Sequence, residues 1–176
     1  YNGWDFSDDL INEYLQVLES INVDFCEIGF RFFNNNGFKG SCAFSTEEFL
    51  KSLIIPENIK IAIMINAKEL ISNGVLETER LKQLIPLKAS QSKVTMVRVA
   101  CNSEIIEKIL PVFQFLHNYG YITCCNITQI SNKTKEKLKE ISYLLSSTKV
   151  DILYFADSLG SSTPSSIKGI VKALRS

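Results

Sequence analysis

Short apolar runs alternate along this chain with stretches in which apolar residues recur every three or four positions. Leu10, Ile11, Tyr14, Leu15 and Leu18 have helical spacing. Ser7 is placed to cap that helix, Asp8 and Asp9 sit in its first turn where the helix dipole favours carboxylates, and Asn22 closes it. Val23 to Phe30 is a β-rich run, followed by a polar, Gly-containing stretch from Asn34 to Ser45. Thr46-Glu47-Glu48 opens a short helix to about Ile54, and Pro56 breaks it. Ile59 to Ile65 is a second, almost wholly apolar strand, followed by a looser helical region from Thr78 to Leu87. The third strand runs from Val94 to Ala100. Ser103 then caps an amphipathic helix carrying Ile105, Ile106, Ile109, Leu110, Phe113 and Leu116, stopped by Gly120. Tyr121 to Ile127 is the fourth strand, Thr134 caps a Lys/Glu-rich helix through Leu145, and Val150 to Ala156 is the fifth strand. Asp157 to Gly160 is a turn, and Thr163-Pro164 opens a last helix running to Ser176, with proline at its favoured first position.

Strands that alternate with helices, and that are mostly apolar on both faces, belong to a parallel sheet covered by helices. Residues 1–176 read as one α/β domain. Two architectures compete, an open doubly wound sheet and a (β/α)8 barrel. No G-x-G-x-x-G follows a strand, as the first would favour. Polar residues within the strands and at their C-terminal ends favour the barrel: Glu27 and Arg31 on the first, Asn66 on the second, Arg98 and Asn102 on the third. Asn126 and Gln129 follow on the fourth, and Asp157 and Ser158 on the fifth.

Glu27 and Arg98 each sit in an apolar strand, where a lone charge is costly. Strand periodicity places Phe25, Glu27, Gly29 and Arg31 on one face, and Arg98, Ala100 and Asn102 on another. Side chains from alternate barrel strands meet in one interior layer. The spacing therefore predicts an internal Glu27–Arg98 pair, either structural or orienting ligands at the barrel mouth.

Composition narrows the chemistry. Nineteen Lys and Arg balance nineteen Asp and Glu, which argues against a bulk-electrostatic nucleic-acid binder. No apolar run reaches the roughly 20 residues of a membrane span, and Tyr1-Asn2-Gly3-Trp4 does not open a signal peptide. The one histidine, His117, excludes any site built from two histidines of this chain and falls late in a helix, on its surface. The five cysteines form no C-x-x-C pair and read as buried hydrophobes in a reducing, cytoplasmic setting. Cys124-Cys125 has no histidine nearby in sequence to activate a nucleophile. Asn34-Asn35-Asn36-Gly37 reads as a turn or a mobile loop over the mouth. Ser161-Ser162-Thr163 reads as a helix cap or a phosphate cradle, and Lys133, Lys135, Lys137 and Lys139 as a solvated face.

Val23-Asp24-Phe25-Cys26-Glu27-Ile28-Gly29-Phe30-Arg31, with Tyr1 to Trp4 before it, resembles the second-strand region of the HMG-CoA-lyase-like metallolyase barrels. Val97-Arg98-Val99-Ala100 resembles their fourth strand, and Tyr154-Phe155-Ala156-Asp157-Ser158-Leu159-Gly160 with Thr163-Pro164 their sixth strand and its loop. The 4-hydroxy-2-oxovalerate aldolase-like branch is the most similar. The resemblance implies a partial TIM barrel, about five parallel strands corresponding to family strands two to six, with flanking helices.

It also implies carbon–carbon bond chemistry through an enolate held on Mn²⁺ or Mg²⁺, since an ion that polarises the carbonyl takes up the oxyanion charge. The family's metal ligands, an R-D aspartate and an H-x-H pair, have no counterpart here, so no metal ligand carries over and the divalent metal is expected in the parent protein rather than in this chain. The resemblance gives Glu27 and Asp157 catalytic roles and Arg98 an interior, supporting one. It makes Arg31, Asn66, Asn102, Asn126 and Ser158 substrate-binding candidates. Three functions stay open: a lyase cleaving a 4-hydroxy-2-oxo acid to pyruvate and an aldehyde, an acyl-CoA-dependent condensing enzyme, and a non-catalytic fragment acting through self-association. The expected partners are a 2-oxo acid substrate and further copies of the chain, with neither nucleic acid nor membrane.

Overall fold

The computed structural model describes residues 2–175, apart from the side chain of Asn132; Tyr1 and Ser176, the two ends of the sequence reading, lie outside the described residues. The elements in chain order are α1 (Asp8–Ser20), β1 (Phe25–Phe30), α2 (Glu47–Ser52), β2 (Lys60–Asn66), β3 (Ile71–Ser72), β4 (Val75–Leu76), α3 (Thr78–Leu84), β5 (Val94–Cys101), α4 (Leu110–Asn118), β6 (Ile122–Ile127), α5 (Lys135–Ser146), β7 (Ile152–Phe155) and α6 (Pro164–Leu174).

Five strands form one parallel sheet in the order β1-β2-β5-β6-β7. Spatial order equals chain order. A doubly wound sheet reverses its order at a switch point, whereas a barrel adds each strand to the same side of the last. This sheet is therefore an arc of a barrel. The helices cover one face of it. Leu15, Leu50, Leu81, Phe113, Leu138 and Ile170 from six helices join Ile61, Ile63, Ile65, Val97, Val99, Cys125 and Ile127 from the strands in one core. On the concave face Ala62, Met96 and Cys124 form a small buried apolar cluster.

Most helix starts follow the predicted caps. Ser7 Oγ accepts from Leu10 N–H, Thr46 Oγ1 from Phe49 N–H and Thr134 Oγ1 from Lys137 N–H, which satisfies amides that have no partner within the helix. Thr163 and Ser166 form a reciprocal capping box ahead of Pro164. Gly120 and Asn22 take the left-handed conformation at helix ends, as expected.

Three local expectations need correction. The helix predicted from Ser103 begins at Leu110, after a 3-10 turn over Glu107–Ile109, because Pro111 lacks an N–H and fits only the first turn of an α-helix. The side chain that caps the preceding turn is Asn102, whose Oδ1 accepts from Glu104 and Ile105 N–H. Ser103 Oγ is buried, with no hydrogen-bond partner among the described residues. The stretch before α3, left without structure by the periodicity, is a hairpin of β3 and β4 around Asn73-Gly74, both at positive φ as a type I′ turn requires. Third, the pairing of β1 with β2 shifts register between Glu27 and Gly29. This bulge reverses the alternation beyond it, so Arg31 leaves the face it was expected to share with Phe25 and Glu27.

Gly29 is needed at that bulge. A Cβ there would lie 2.0 Å from the carbonyl oxygen of Cys42, in the 3-10 turn Ser41–Ala43 packed against the strand.

Candidate functional site

The concave face is built in layers. In the deeper layer, the Arg98 guanidinium donates to Glu27 in a two-pronged pair, Nε to Oε2 at 2.7 Å and Nη2 to Oε1 at 2.5 Å. The same guanidinium lies 5.5 Å from the ring centre of Tyr154. Glu27, Arg98 and Tyr154 come from β1, β5 and β7, the alternate strands of the arc, as a barrel layer requires. Between β1 and β5 runs β2, and the residue paired with Glu27 there is Ala62, small enough for the arginine to cross. The internal pair expected from sequence is present.

Towards the C-terminal ends of the strands the face opens into a cavity of about 420 Å³. Asn66 from the end of β2, Asn102 after β5 and Asn126 on β6 all line it, beside Lys68 and Thr128. Asn66 Oδ1 accepts from Lys68 N–H at 3.1 Å and Asn102 Oδ1 caps its own turn, which leaves the amide N–H groups of both to donate. Asn126 is buried, with Nδ2 3.9 Å from the Met64 sulfur. Among the described residues lining this cavity there is no carboxylate. Its donors suit an anion or a carbonyl oxygen.

The other sequence candidates fall elsewhere. Arg31 is on the helix-covered side, 4% exposed. It donates to Glu47 Oε1 at 2.7 Å and to the backbone carbonyls of Ser45 at 2.9 Å and Leu84 at 3.0 Å. Its donors tie α2 and α3 to the sheet; the bulge at Gly29 removes it from the concave face. Asp157 follows β7 and accepts from the N–H groups of Ser162 at 2.7 Å and Ser161 at 3.3 Å. Those bonds hold its carboxyl below the usual aspartate range. Ser158 Oγ accepts from Gln129 N–H at 3.3 Å. Neither lines the cavity that gathers the asparagines.

The five cysteines are unpaired and buried. Burial, then the nearby Asp151, pushes the Cys124 thiol up to about 12. Burial with Asp8 pushes Cys42 to about 11. A hydrogen bond with Cys101 raises Cys125 further still. His117 is exposed in the last turn of α4. The cap at Thr163 and the exposed Asn34–Gly37 segment are as expected for ordinary helix and loop chemistry.

Sequence reasoning missed an aromatic group at the rim. Phe30 and Phe32 stack with ring centres 4.4 Å apart, and Trp4 meets them edge-on at 5.5 and 5.2 Å. All three line the cavity. A glycine inside a strand run is the usual sign of a bulge, and it would have re-aimed Phe30 and Phe32 inwards.

Three solved structures superpose on almost the whole chain. The N-terminal domain of a candidate aldolase from Bacteroides vulgatus matches with a TM-score of 0.81 and 23% identity, over 99% of this chain and 56% of that one. An HMG-CoA lyase from Bacillus subtilis matches at 0.72 and 10% identity, over 99% and 61%. That of Brucella melitensis matches at 0.69 and 14%, over 98% and 64%. The fold is that of the HMG-CoA-lyase-like barrels. This chain spans between 56% and 64% of the length of those chains. No protein-family model matches the sequence, and no curated protein matches it.

The divalent ion that the resemblance implies does not fit the residues present. Among the described residues no three His, Cys, Asp or Glu side chains cluster. Glu27 is engaged by Arg98 and Asp157 by backbone amides. Among the described residues no helix is long and apolar enough to cross a membrane.

Proposed function

We propose that this chain is the substrate-orienting part of a carbon–carbon lyase that cleaves a 4-hydroxy-2-oxo acid to pyruvate and an aldehyde. The observation that carries this reading is the convergence of Asn66, Asn102, Asn126 and Lys68 on one carboxylate-free cavity at the C-terminal ends of parallel strands. Barrel enzymes keep their chemistry at that end. Lys68 suits the substrate carboxylate, and the asparagine amides suit the 2-oxo oxygen.

In the cleavage, the 4-hydroxyl loses its proton, the C3–C4 bond breaks, and its electron pair moves to the 2-oxo oxygen as an enolate. Amide N–H groups aimed at that oxygen favour the developing charge. C3 is then protonated. Glu27 and Asp157 are the acid–base candidates; each accepts two hydrogen bonds, Glu27 from Arg98 and Asp157 from the Ser161 and Ser162 N–H groups, and each lies outside the lining of the asparagine cavity. Ser158 reaches substrate only if its loop closes on the mouth. A divalent ion would require ligands other than the residues described here, so no step is assigned to it. The unpaired thiols fit a reducing, cytoplasmic compartment.

The test is proton exchange at C3 of pyruvate in deuterated water, followed by NMR, together with pyruvate release from 4-hydroxy-2-oxo acids. Exchange lost in Asn126→Ala supports the reading. An exchange rate equal to the buffer's, with and without Mn²⁺, overturns it.

We also propose self-association. α1 carries Asp8, Asp9, Glu13 and Glu19 and no Lys or Arg, whereas α6 carries Lys168 and Lys172 and no acid. They flank opposite edges of the arc, β1 and β7, which pair with no further strand among the described residues. Both bear exposed or half-exposed apolar residues, Leu10 and Tyr14 on one, Ile167 and Val171 on the other. A second copy placed head to tail sets acid against base and covers both apolar strips.

A further inference from the structure

The aromatic group at the rim is the feature of the cavity that the cleavage chemistry leaves unused. Trp4, Phe30 and Phe32 pack on one another while each stays partly exposed at the cavity wall.

Their position is held at a conformational cost. Trp4 has φ of 61°, a left-handed conformation unusual for a bulky residue. The segment is pinned there by Gly40, whose N–H donates to the Gly3 carbonyl at 2.9 Å. A Cβ at Gly40 would lie 2.3 Å from Asp5 Cα and 2.5 Å from the Trp4 carbonyl oxygen, so the two segments touch backbone to backbone. Strain retained at a cavity rim points to a role for the side chain it aims. Two cations stand near the rings: Lys39 Nζ lies 4.3 Å from the Phe32 ring centre, and Lys68 shares the cavity wall. Apolar rings beside cationic and amide donors suit an anionic head carrying a flat apolar tail.

We infer that Trp4, Phe30 and Phe32 form a subsite for a bulky, planar apolar chain on the substrate, so that the preferred 2-oxo acid is an aryl-bearing one rather than a short aliphatic one. This rests on the reading of the cavity as a 2-oxo acid site.

Two ligands with the same head separate the two ideas: 2-oxobutyrate and 2-oxo-4-phenylbutyrate. Binding is measured by calorimetry, and the emission of Trp4, the single tryptophan of the chain, reports directly on the subsite. The phenyl compound should bind at least about tenfold tighter, from ring burial and aromatic contact, and should shift the Trp4 emission. Phe32→Leu should cut that preference to about threefold or less and keep the circular-dichroism spectrum of the parent. Equal affinities for the two ligands overturn the subsite and leave the cavity reading standing. A preference that survives Phe32→Leu and Phe30→Leu with no change at Trp4 also overturns the subsite. Binding of neither ligand overturns the cavity reading and the subsite with it.

Discussion

Arg98 on β5 reaches across Ala62 of β2 to grip both carboxylate oxygens of Glu27 on β1, at 2.7 and 2.5 Å. The contact joins strands that are not hydrogen-bonded neighbours and fixes the curvature of the arc from its inner side. Both side chains keep about a quarter of their surface exposed, 28% for Glu27 and 25% for Arg98. Water therefore screens the pair, and geometry rather than raw Coulomb energy is its main contribution.

Breaking that pair should cost little stability and more function. A double-mutant cycle of Glu27→Gln and Arg98→Met in urea should give a coupling of about 1 kcal/mol or less. Under the proposed function, Glu27→Gln should slow C3 proton exchange of pyruvate by at least about tenfold. Unchanged exchange would assign the pair to the framework alone.

Arg31 should behave in the opposite way. Its pair with Glu47 is buried, 4% and 6% exposed, so Arg31→Met strands a carboxylate away from water. A loss of about 3–5 kcal/mol in the unfolding free energy is expected. Ser92 Oγ also donates to Glu47, at 2.8 and 3.0 Å, which places the loss at the lower end. Arg31→Met with Glu47→Leu should recover part of it. Ligand affinity at the concave cavity should not move in either variant; a large change in it would put Arg31 back at the site.

The sheet and the Glu27–Arg98 pair were legible in the sequence because each rests on one strong signal. Apolar runs recurring between capped helices define parallel strands, and charges inside two such runs need each other. The side of the sheet taken by Arg31 was not legible from periodicity, because one extra residue at a bulge inverts every later position. Gly29 was the clue, and its need is a contact with Cys42, thirteen positions away and thus a tertiary fact. The hairpin at Asn73-Gly74 did carry a local signature in Ile71-Ser72-Asn73-Gly74-Val75-Leu76. Pro111 likewise marked the true start of α4. The aromatic rim combines Trp4 from before α1 with Phe30 at the end of β1 and Phe32 just after it, which no local pattern joins.

Asp157 makes the acid limb of stability testable. Its amide partners Ser162 and Ser161 favour the ionised carboxylate, so its folded pKa lies below the unfolded one. The contribution is complete above the ordinary aspartate value of about 4 and is lost as the pH falls through the depressed folded value. Asp157→Asn keeps an acceptor and removes the charge. The gap between the urea midpoints of parent and variant should be constant near neutrality and close below about pH 4. A gap that does not change with pH would show that the charge contributes nothing.

The cysteines should be silent in the folded protein. Cys124 and Cys42 are pushed up to about 12 and about 11, Cys125 and Cys26 are also raised, and all five are buried. Thiolate is the reactive form, so an aromatic disulfide reagent at pH 8 should titrate fewer than about one thiol in the native state. All five should react in denaturant. Fast reaction of one native thiol would mark a local opening of the sheet, and its identity would locate it.

The proposed self-association rests on the surface of α1. Leu10, Tyr14, Val17 and Ile21 form an exposed strip along that helix, at 51%, 55%, 57% and 64% exposure, next to the groove closed by Phe6 and Ile28. Contiguous apolar surface of this kind mostly marks an interface. A head-to-tail pairing with α6 of a second copy predicts two properties that a simple apolar contact lacks. Light scattering after size exclusion should show a dimer or larger species whose fraction falls as salt is raised, because the acidic and basic helices attract through solvent. Val17→Lys should dissociate it, since it places a cation against the Lys168 and Lys172 side, and adding Lys168→Glu should restore it. A monomer at every concentration and ionic strength would falsify the pairing, and association strengthened by salt would replace it with a purely apolar contact.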